Sequence, residues 1–401
     1  MLLVFPLATC RAHVSQDKNA VDAILTEVKG EDLMKEVEEL SKWIRTTGTS
    51  GYYKAVDYLV DKFEENGLKV VKHTFIGYRE VVSRKGVKRV RTTGINVIGV
   101  IEGVERPNET IIVCAHLDSA ETPGADDDAS GVAALIVISR ILAREHLRRT
   151  CLFIAFDAEE IGLVGSQSFI VDYADEVFSS CIAVIDIDMI GYSKVAINPL
   201  NRVHKKSLKL TSLIRNLSKE YLDYTPPVTW FATYRSDFAV FSGFDIPAVL
   251  LTEREDSFNP HYHTMSDLPQ FLSLEALELG AKVAGVTVAY LANVEKIPKE
   301  IARNITSGEV VGTVVSEDGK PLKGACLRVN ITRDITARKL TDENGRFKLK
   351  LPFGEYKAEV VYNGLDRTGM ITINISVRDY KQEIKIVVPT EKTPLIEKVM
   401  Y

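Results

Sequence analysis

Apolar residues recur at helical spacing from Glu31 to Arg45 and again from Tyr52 to Glu65, which predicts two amphipathic helices early in the chain. The second run stops at Asn66-Gly67, a helix terminator, and Ser50 is its N-cap candidate. The period then shortens to two, so that Leu68–Phe75, Ile95–Ile101 and Thr110–Ala115 read as strands separated by glycines and charges. From Ser130 onward the two periods alternate. A helix over Ser130–Ala143, a strand over Cys151–Phe156, a helical stretch near Gly162–Tyr173, a strand over Cys181–Ile187 and a helix over Lys206–Tyr221 follow in order. A strand over Ala248–Thr252 and a long helix over Leu274–Leu291 close the series. Such alternation predicts an α/β unit, a mixed and mostly parallel sheet flanked by helices, with its ligands at the carboxyl ends of the strands.

The polar, proline-containing stretch Glu295–Gly308 ends this pattern and marks a domain boundary. Beyond it come short alternating runs with turn signals between them: Val310–Val315, Asp318-Gly319, Cys326–Ile331, Asp342–Gly345, Arg346–Leu351 and Glu355–Val361. These predict a small all-β sandwich. The expected organisation is an N-terminal segment over 1–30, a catalytic domain over 31–298 and the sandwich over 309–390.

Charge and cysteine usage narrow the function. A net charge of -5, with Lys and Arg interspersed among Asp and Glu, supplies no basic field for a phosphate backbone, which argues against a nucleic-acid partner. No apolar run approaches the roughly 20 residues of a membrane span. Five cysteines are too scattered for a disulfide framework, and Cys114, Cys151 and Cys181 sit inside apolar strand patterns. Leu2–Ala8 has the apolar character of a minimal signal h-region but is short and lacks a preceding basic residue, and Asn108, Asn216, Asn304, Asn330 and Asn374 each begin an Asn-x-Ser/Thr triplet. Both features lean toward an exported or cell-surface protein.

Candidate chemistry collects at the predicted strand ends. Only seven histidines are present, and His116 and His263 fall at such ends. Carboxylates accompany them: Asp126-Asp127-Asp128, Glu159-Glu160 and Asp186-x-Asp188. The aspartate run also suits a helix N-cap, because Ser130-Gly131-Val132-Ala133 opens an apolar helix, and the glutamate pair also suits a solvated first turn. Acids crowded on a sheet edge repel one another unless a cation neutralises them. Two imidazoles with three or more carboxylates suit zinc and exceed the need of one tetrahedral catalytic ion, so two metals are the natural reading.

Four blocks make the pattern specific. They are His116-Leu117-Asp118 leading to Pro123-Gly124-Ala125-Asp126-Asp127-Asp128-Ala129-Ser130-Gly131, then Ala158-Glu159-Glu160-Ile161-Gly162, Ile187-Asp188-Met189, and Tyr262-His263-Thr264-x-x-Asp267. Over about residues 31–295 the chain resembles the zinc aminopeptidases with a co-catalytic metal pair, which include bacterial leucyl aminopeptidases and, more distantly, glutamate carboxypeptidase and glutaminyl cyclase. The resemblance implies a zinc exopeptidase fold with two zinc ions bridged by Asp127, His116 and Asp188 completing one site, Glu160 and His263 the other. By the same resemblance Glu159 is the general base for the attacking water, Asp118 orients His116, and Asp267 does the same for His263. The chain departs from the family at Ser236-Asp237-Phe238, where Ser-Asp-His is usual, and at Tyr234-Arg235, the candidates for polarising the substrate carbonyl.

The C-terminal segments Gly312-Thr313-Val314, Gly319–Ala325 and Thr341-Asp342-x-x-Gly345-x-Phe347 resemble the carboxypeptidase regulatory-like domain, a transthyretin-like sandwich. The expected activity is release of amino acids from peptide or protein N-termini. The rivals are a carboxypeptidase, dipeptidase or cyclase on the same metal cradle, and a non-catalytic surface binding protein that kept the fold.

Overall fold

The computed structural model describes residues 19–83, 86–200, 204–230, 236–299, 301, 306–333, 335–364 and 367–388. The chain divides into two units, the first made of residues up to Phe169 and Ser179–Arg303, the second of Ile170–Phe178 and the residues from Asn304 on.

The first unit opens with three helices: α1 over 19–27, α2 (Gly30–Leu40) and α3 (Ser50–Glu65). The helix expected to reach Arg45 stops at Leu40, so the residues after it cross to the sheet as a loop. Thr49, not Ser50, caps α3, its hydroxyl accepting the Tyr52 N–H. Residues 19–28, read from sequence as part of a leading segment, place Ala20, Val21, Ile24 and Val28 in the core.

Seven strands follow: β1 (Lys69–Ser83), β2 (Gly86–Ile101), β3 (Arg106–His116), β4 (Arg149–Phe156), β5 (Cys181–Ile187), β6 (Ala196–Asn198) and β7 (Ala248–Thr252). They form one sheet in the order β1-β2-β4-β3-β5-β7-β6. Its central four, β4, β3, β5 and β7, are parallel; the outer pairings are antiparallel. The parallel strands are buried on both faces, which is why they read as unbroken apolar runs, Ile111–Ala115 in β3 being wholly inaccessible. β6 is too short to show a period, and the long β1–β2 ribbon runs past Phe75 through Tyr78-Arg79-Glu80, where alternation fails.

The connecting helices are α4 (Ala129–Leu142), α5 (Val164–Asp172), α6 (Ala174–Ser180), α7 (Lys205–Leu222), the six-residue α8 (Phe238–Gly243) and α9 (Leu274–Asn293). All of α4 except Arg140 is buried, as an apolar-all-round helix must be. Its first turn approaches β5 so closely that a Cβ on Gly131 would stand 2.2 Å from the Ile187 carbonyl oxygen. That contact sets the aspartates before α4 beside the end of β5.

The second unit is a sandwich of two sheets, one of β10 (Thr336–Leu340), β9 (Cys326–Asn330), β12 (Gly354–Gly364) and β13 (Arg367–Val377), the other of β11 (Arg346–Pro352), β8 (Ser307–Ser316) and β14 (Lys381–Val388). Val310, Val314, Leu327, Val329, Leu349, Val360 and Ile386 fill its interior by strict alternation.

Candidate metal centre

The four parallel strands end on one edge, and the chain after each delivers a reactive side chain there. β3 terminates in His116, Glu159 and Glu160 follow β4, Asp188 follows β5, and the loop after β7 returns with His263. Asp127 comes from the loop between β3 and α4.

His116 Nε2 lies 2.9 Å from Asp127 Oδ1 and 3.7 Å from Asp188 Oδ1. His263 Nε2 lies 3.1 Å from Asp127 Oδ2 and 3.0 Å from Glu160 Oε2. Asp127 thus turns one oxygen to each of two clusters. Two donors each about 2.0–2.2 Å from a tetrahedral zinc stand roughly 3.3–3.5 Å apart, and the observed separations bracket that spacing. Glu160 Oε1 is also buried without a hydrogen-bond partner, a cost that a cation removes. The donor set therefore fits two zinc ions, and all five ligand candidates from the sequence come together.

Asp128 lies close enough to His116 and Asp188 to join them geometrically. Its oxygens are already engaged, however, by the N–H groups of His116 (3.1 Å), Gly131 (2.9 Å) and Met189 (3.3 Å). It caps α4 and ties that helix to β3 and β5.

The surrounding acids hold backbone more than side chains. His116 Nδ1 is nearer the Asp118 carbonyl oxygen, at 3.1 Å, than its carboxylate, at 3.6 Å. The Asp118 carboxylate accepts the N–H groups of Glu159 (3.1 Å) and Glu160 (3.2 Å), fixing that turn. Asp267, expected to orient His263, instead accepts the N–H groups of Asp126 (3.0 Å) and Asp127 (3.1 Å). The correction has a simple cause: two unpaired N–H groups in a buried turn demand an acceptor, and a bidentate carboxylate satisfies both. Tyr234 and Arg235 lie outside the described residues. Ser236 Oγ and the Phe238 N–H both donate to Asp186 Oδ2, and Phe238, in the place of the usual histidine, is fully buried.

Sequence reasoning missed the support of the His263 loop. Asn259 donates to Asp126 Oδ2 at 2.9 Å, its N–H reaches Glu253 Oε2 at 2.8 Å, and its own Oδ1 accepts the His261 N–H. Glu253 directly follows β7, the position that flagged the other acids. Ala158 (φ 61°), Met189 (φ 63°) and His263 (φ 56°) hold left-handed backbone beside the cluster, where strain is commonly stored.

Electrostatics bind the cluster together. Hydrogen bonds that His263 donates to Asp127 and Glu160 push it up to about 10, while burial and the neighbouring Asp127 push Glu160 up to about 7 despite His263. Burial opposes ionisation of Asp127, yet His116 and His263 outweigh it and hold the group below the ordinary carboxylate range. Burial drives Glu159 well upward, with Glu160, Asp237 and Asp188 adding to the effect. His116, Asp127, Glu159, Asp188 and His263 open onto one pocket, walled by Met189, Leu250, Thr252, Phe258 and Tyr262.

Residues 96–288 match the profile of peptidase family M28, and residues 309–387 that of the carboxypeptidase regulatory-like domain. Residues 96–288 are thus a peptidase family M28 segment. The chain is 26% identical over 268 residues to a probable leucine aminopeptidase 2 of Aspergillus oryzae, covering 61% of this chain and 53% of that protein. Aminopeptidase YwaD of Bacillus subtilis is 26% identical over 221 residues, 53% of this chain and 48% of that one. The chain thus spans about half the length of these curated relatives. An aminopeptidase structure from Aneurinibacillus sp. strain AM-1 superposes with a TM-score of 0.59 at 19% identity over 71% of this chain and 98% of that one, a likeness of fold.

Proposed function

We propose that this M28 peptidase releases amino acids from the N-termini of peptides, using two zinc ions held by His116 and Asp188 on one side of Asp127 and by Glu160 and His263 on the other. The observation that carries the reading is Asp127, which faces a histidine through each of its oxygens within one acid-rich pocket. Held by these residues, zinc would supply Lewis-acid chemistry, polarising the scissile carbonyl and lowering the pKa of a bound water toward neutrality.

Glu159 is the group placed to move the proton. It lines the pocket, its backbone is pinned by Asp118, and as a carboxylate beside two cations it would accept a proton from water and return it to the departing amine. Met189, Leu250, Phe258 and Tyr262 offer an apolar wall to the substrate's first side chain. Exposure of Asn108, Asn216, Asn330 and Asn374 on the surface supports export as part of the same reading.

The carboxylates favour a free α-ammonium, and acetylation removes that charge. Amino-acid anilides and unblocked peptides should be cleaved stepwise from the N-terminus, with N-acetylated versions much poorer. Release from the C-terminus, with blocked and free substrates hydrolysed alike, would refute the aminopeptidase reading and leave the metal site standing.

A further inference from the structure

The loop between α2 and α3 lies before the part of the chain matched by the family profile, and none of its residues is a ligand candidate. Arg45, in that loop, is fully buried. Its Nε donates to the Leu117 carbonyl at 2.9 Å, Nη1 to the carbonyls of Leu40 (3.1 Å) and Pro123 (2.7 Å), and Nη2 to Gly124 (2.9 Å). Its N–H donates to Ser119 Oγ at 3.0 Å, and that hydroxyl donates to the Thr122 carbonyl at 2.8 Å. The chain from His116 to Asp127 is therefore wound around one guanidinium. Gly124 permits the approach: its φ is +58°, and a Cβ there would stand 2.9 Å from Arg45 Nη2 and 2.3 Å from the Asp127 carbonyl oxygen.

Two residues on, Thr47 Oγ1 lies 2.8 Å from Asp157 Oδ1 and 3.3 Å from Asp118 Oδ2. Asp118 follows β3 and carries the Glu159 and Glu160 N–H groups; Asp157 follows β4 and accepts the Ile95 N–H at 2.9 Å. The hydroxyl thus spans the ends of the two strands that supply His116 and Glu160.

We propose that Arg45 and Thr47 are positioning residues of the metal cradle: Arg45 sets the path from His116 to Asp127, and Thr47 sets the spacing of the β3 and β4 ends. The inference rests on the M28 di-zinc reading. An arginine is required because its planar fork reaches carbonyls in several directions, whereas an ammonium is a point donor. Charge and geometry act with opposite signs here. A buried cation repels a dication, so its loss through charge alone would tighten zinc binding; loss of the scaffold weakens it.

The test is zinc affinity of the full chain, by competition with a chromophoric chelator, together with kcat and KM. Arg45→Lys keeps the charge and should weaken zinc binding by about 10–100-fold, the range for residues that orient metal ligands, with kcat falling more than KM rises. Thr47→Val should weaken it in the same direction, with recovery in Thr47→Ser. Arg149→Lys is the control, since that guanidinium is also buried on backbone carbonyls, of Leu291, Val294 and Glu295, and should lower thermal stability alone. If Arg45→Lys fails to fold, the Thr47→Val and Thr47→Ser pair decides. Wild-type zinc affinity and kcat in Thr47→Val, or tighter binding in Arg45→Lys, would overturn the proposal. A wild-type protein that takes up no zinc would instead overturn the reading beneath it.

Discussion

Glu159 and Glu160 are neighbours in the chain, both hang from the Asp118 carboxylate, and the proposed di-zinc mechanism gives them different work. Only Glu160 stands within 3.0 Å of a ligand histidine; Glu159 faces the pocket. Glu159→Gln is isosteric, so metal content should remain at two ions per chain, measured by inductively coupled plasma mass spectrometry. Removal of a general base costs about 10²–10⁴ in rate, which is about 3–5 kcal/mol of transition-state stabilisation at ~1.4 kcal/mol per decade. The loss should lie in kcat, with KM on an amino-acid anilide little changed. In the metal-free protein, where burial and three neighbouring carboxylates disfavour the charged form of Glu159, the amide should leave the melting temperature unchanged or raise it. Glu160→Gln should instead lower metal content toward one ion per chain. A Glu159→Gln variant that keeps more than a tenth of wild-type kcat, or that loses a metal, would refute the division of labour.

Zinc loading should release protons near neutral pH, more than two per chain, because metal ligands bind unprotonated while the surrounding carboxylates hold His116 and His263 in their protonated forms and Glu160 is pushed up to about 7. Affinity should accordingly fall as pH falls, and titration calorimetry in buffers of different ionisation enthalpy checks both. Phe241→Ala opens the aromatic cluster behind the site, where Phe156 and Phe169 rings lie 6.0 and 6.3 Å away. It should cost about 3–5 kcal/mol of stability, read by denaturant unfolding, without changing metal stoichiometry.

Legibility followed the reach of local pattern. The strands β3, β4, β5 and β7 announce themselves through apolar runs, and the ends of the first three point directly to His116, Glu160 and Asp188. The bonds that shape the site join distant segments: Asp267 to Asp126 and Asp127, Asn259 to Asp126, Arg45 to Gly124. No period encodes such pairings, so Asp267 reads as a partner of the nearby His263 and Arg45 as the tail of an amphipathic helix. Left-handed backbone at Ala158, Met189 and His263 was equally invisible, since none of these residues favours it.

The spread of the ligand candidates along the chain also fixes when the site comes into being. During synthesis, four of them have emerged by Asp188, but His263 arrives only after β7 has been made and can pair beside β5. Its loop is anchored through Asn259 to Asp126, which itself sits at the mouth of α4. A growing chain therefore holds no complete cradle until nearly the whole sheet has assembled, since domains form as cooperative units. A complete set of the five ligand candidates is the last thing such a chain acquires, and a fragment released before His263 carries none.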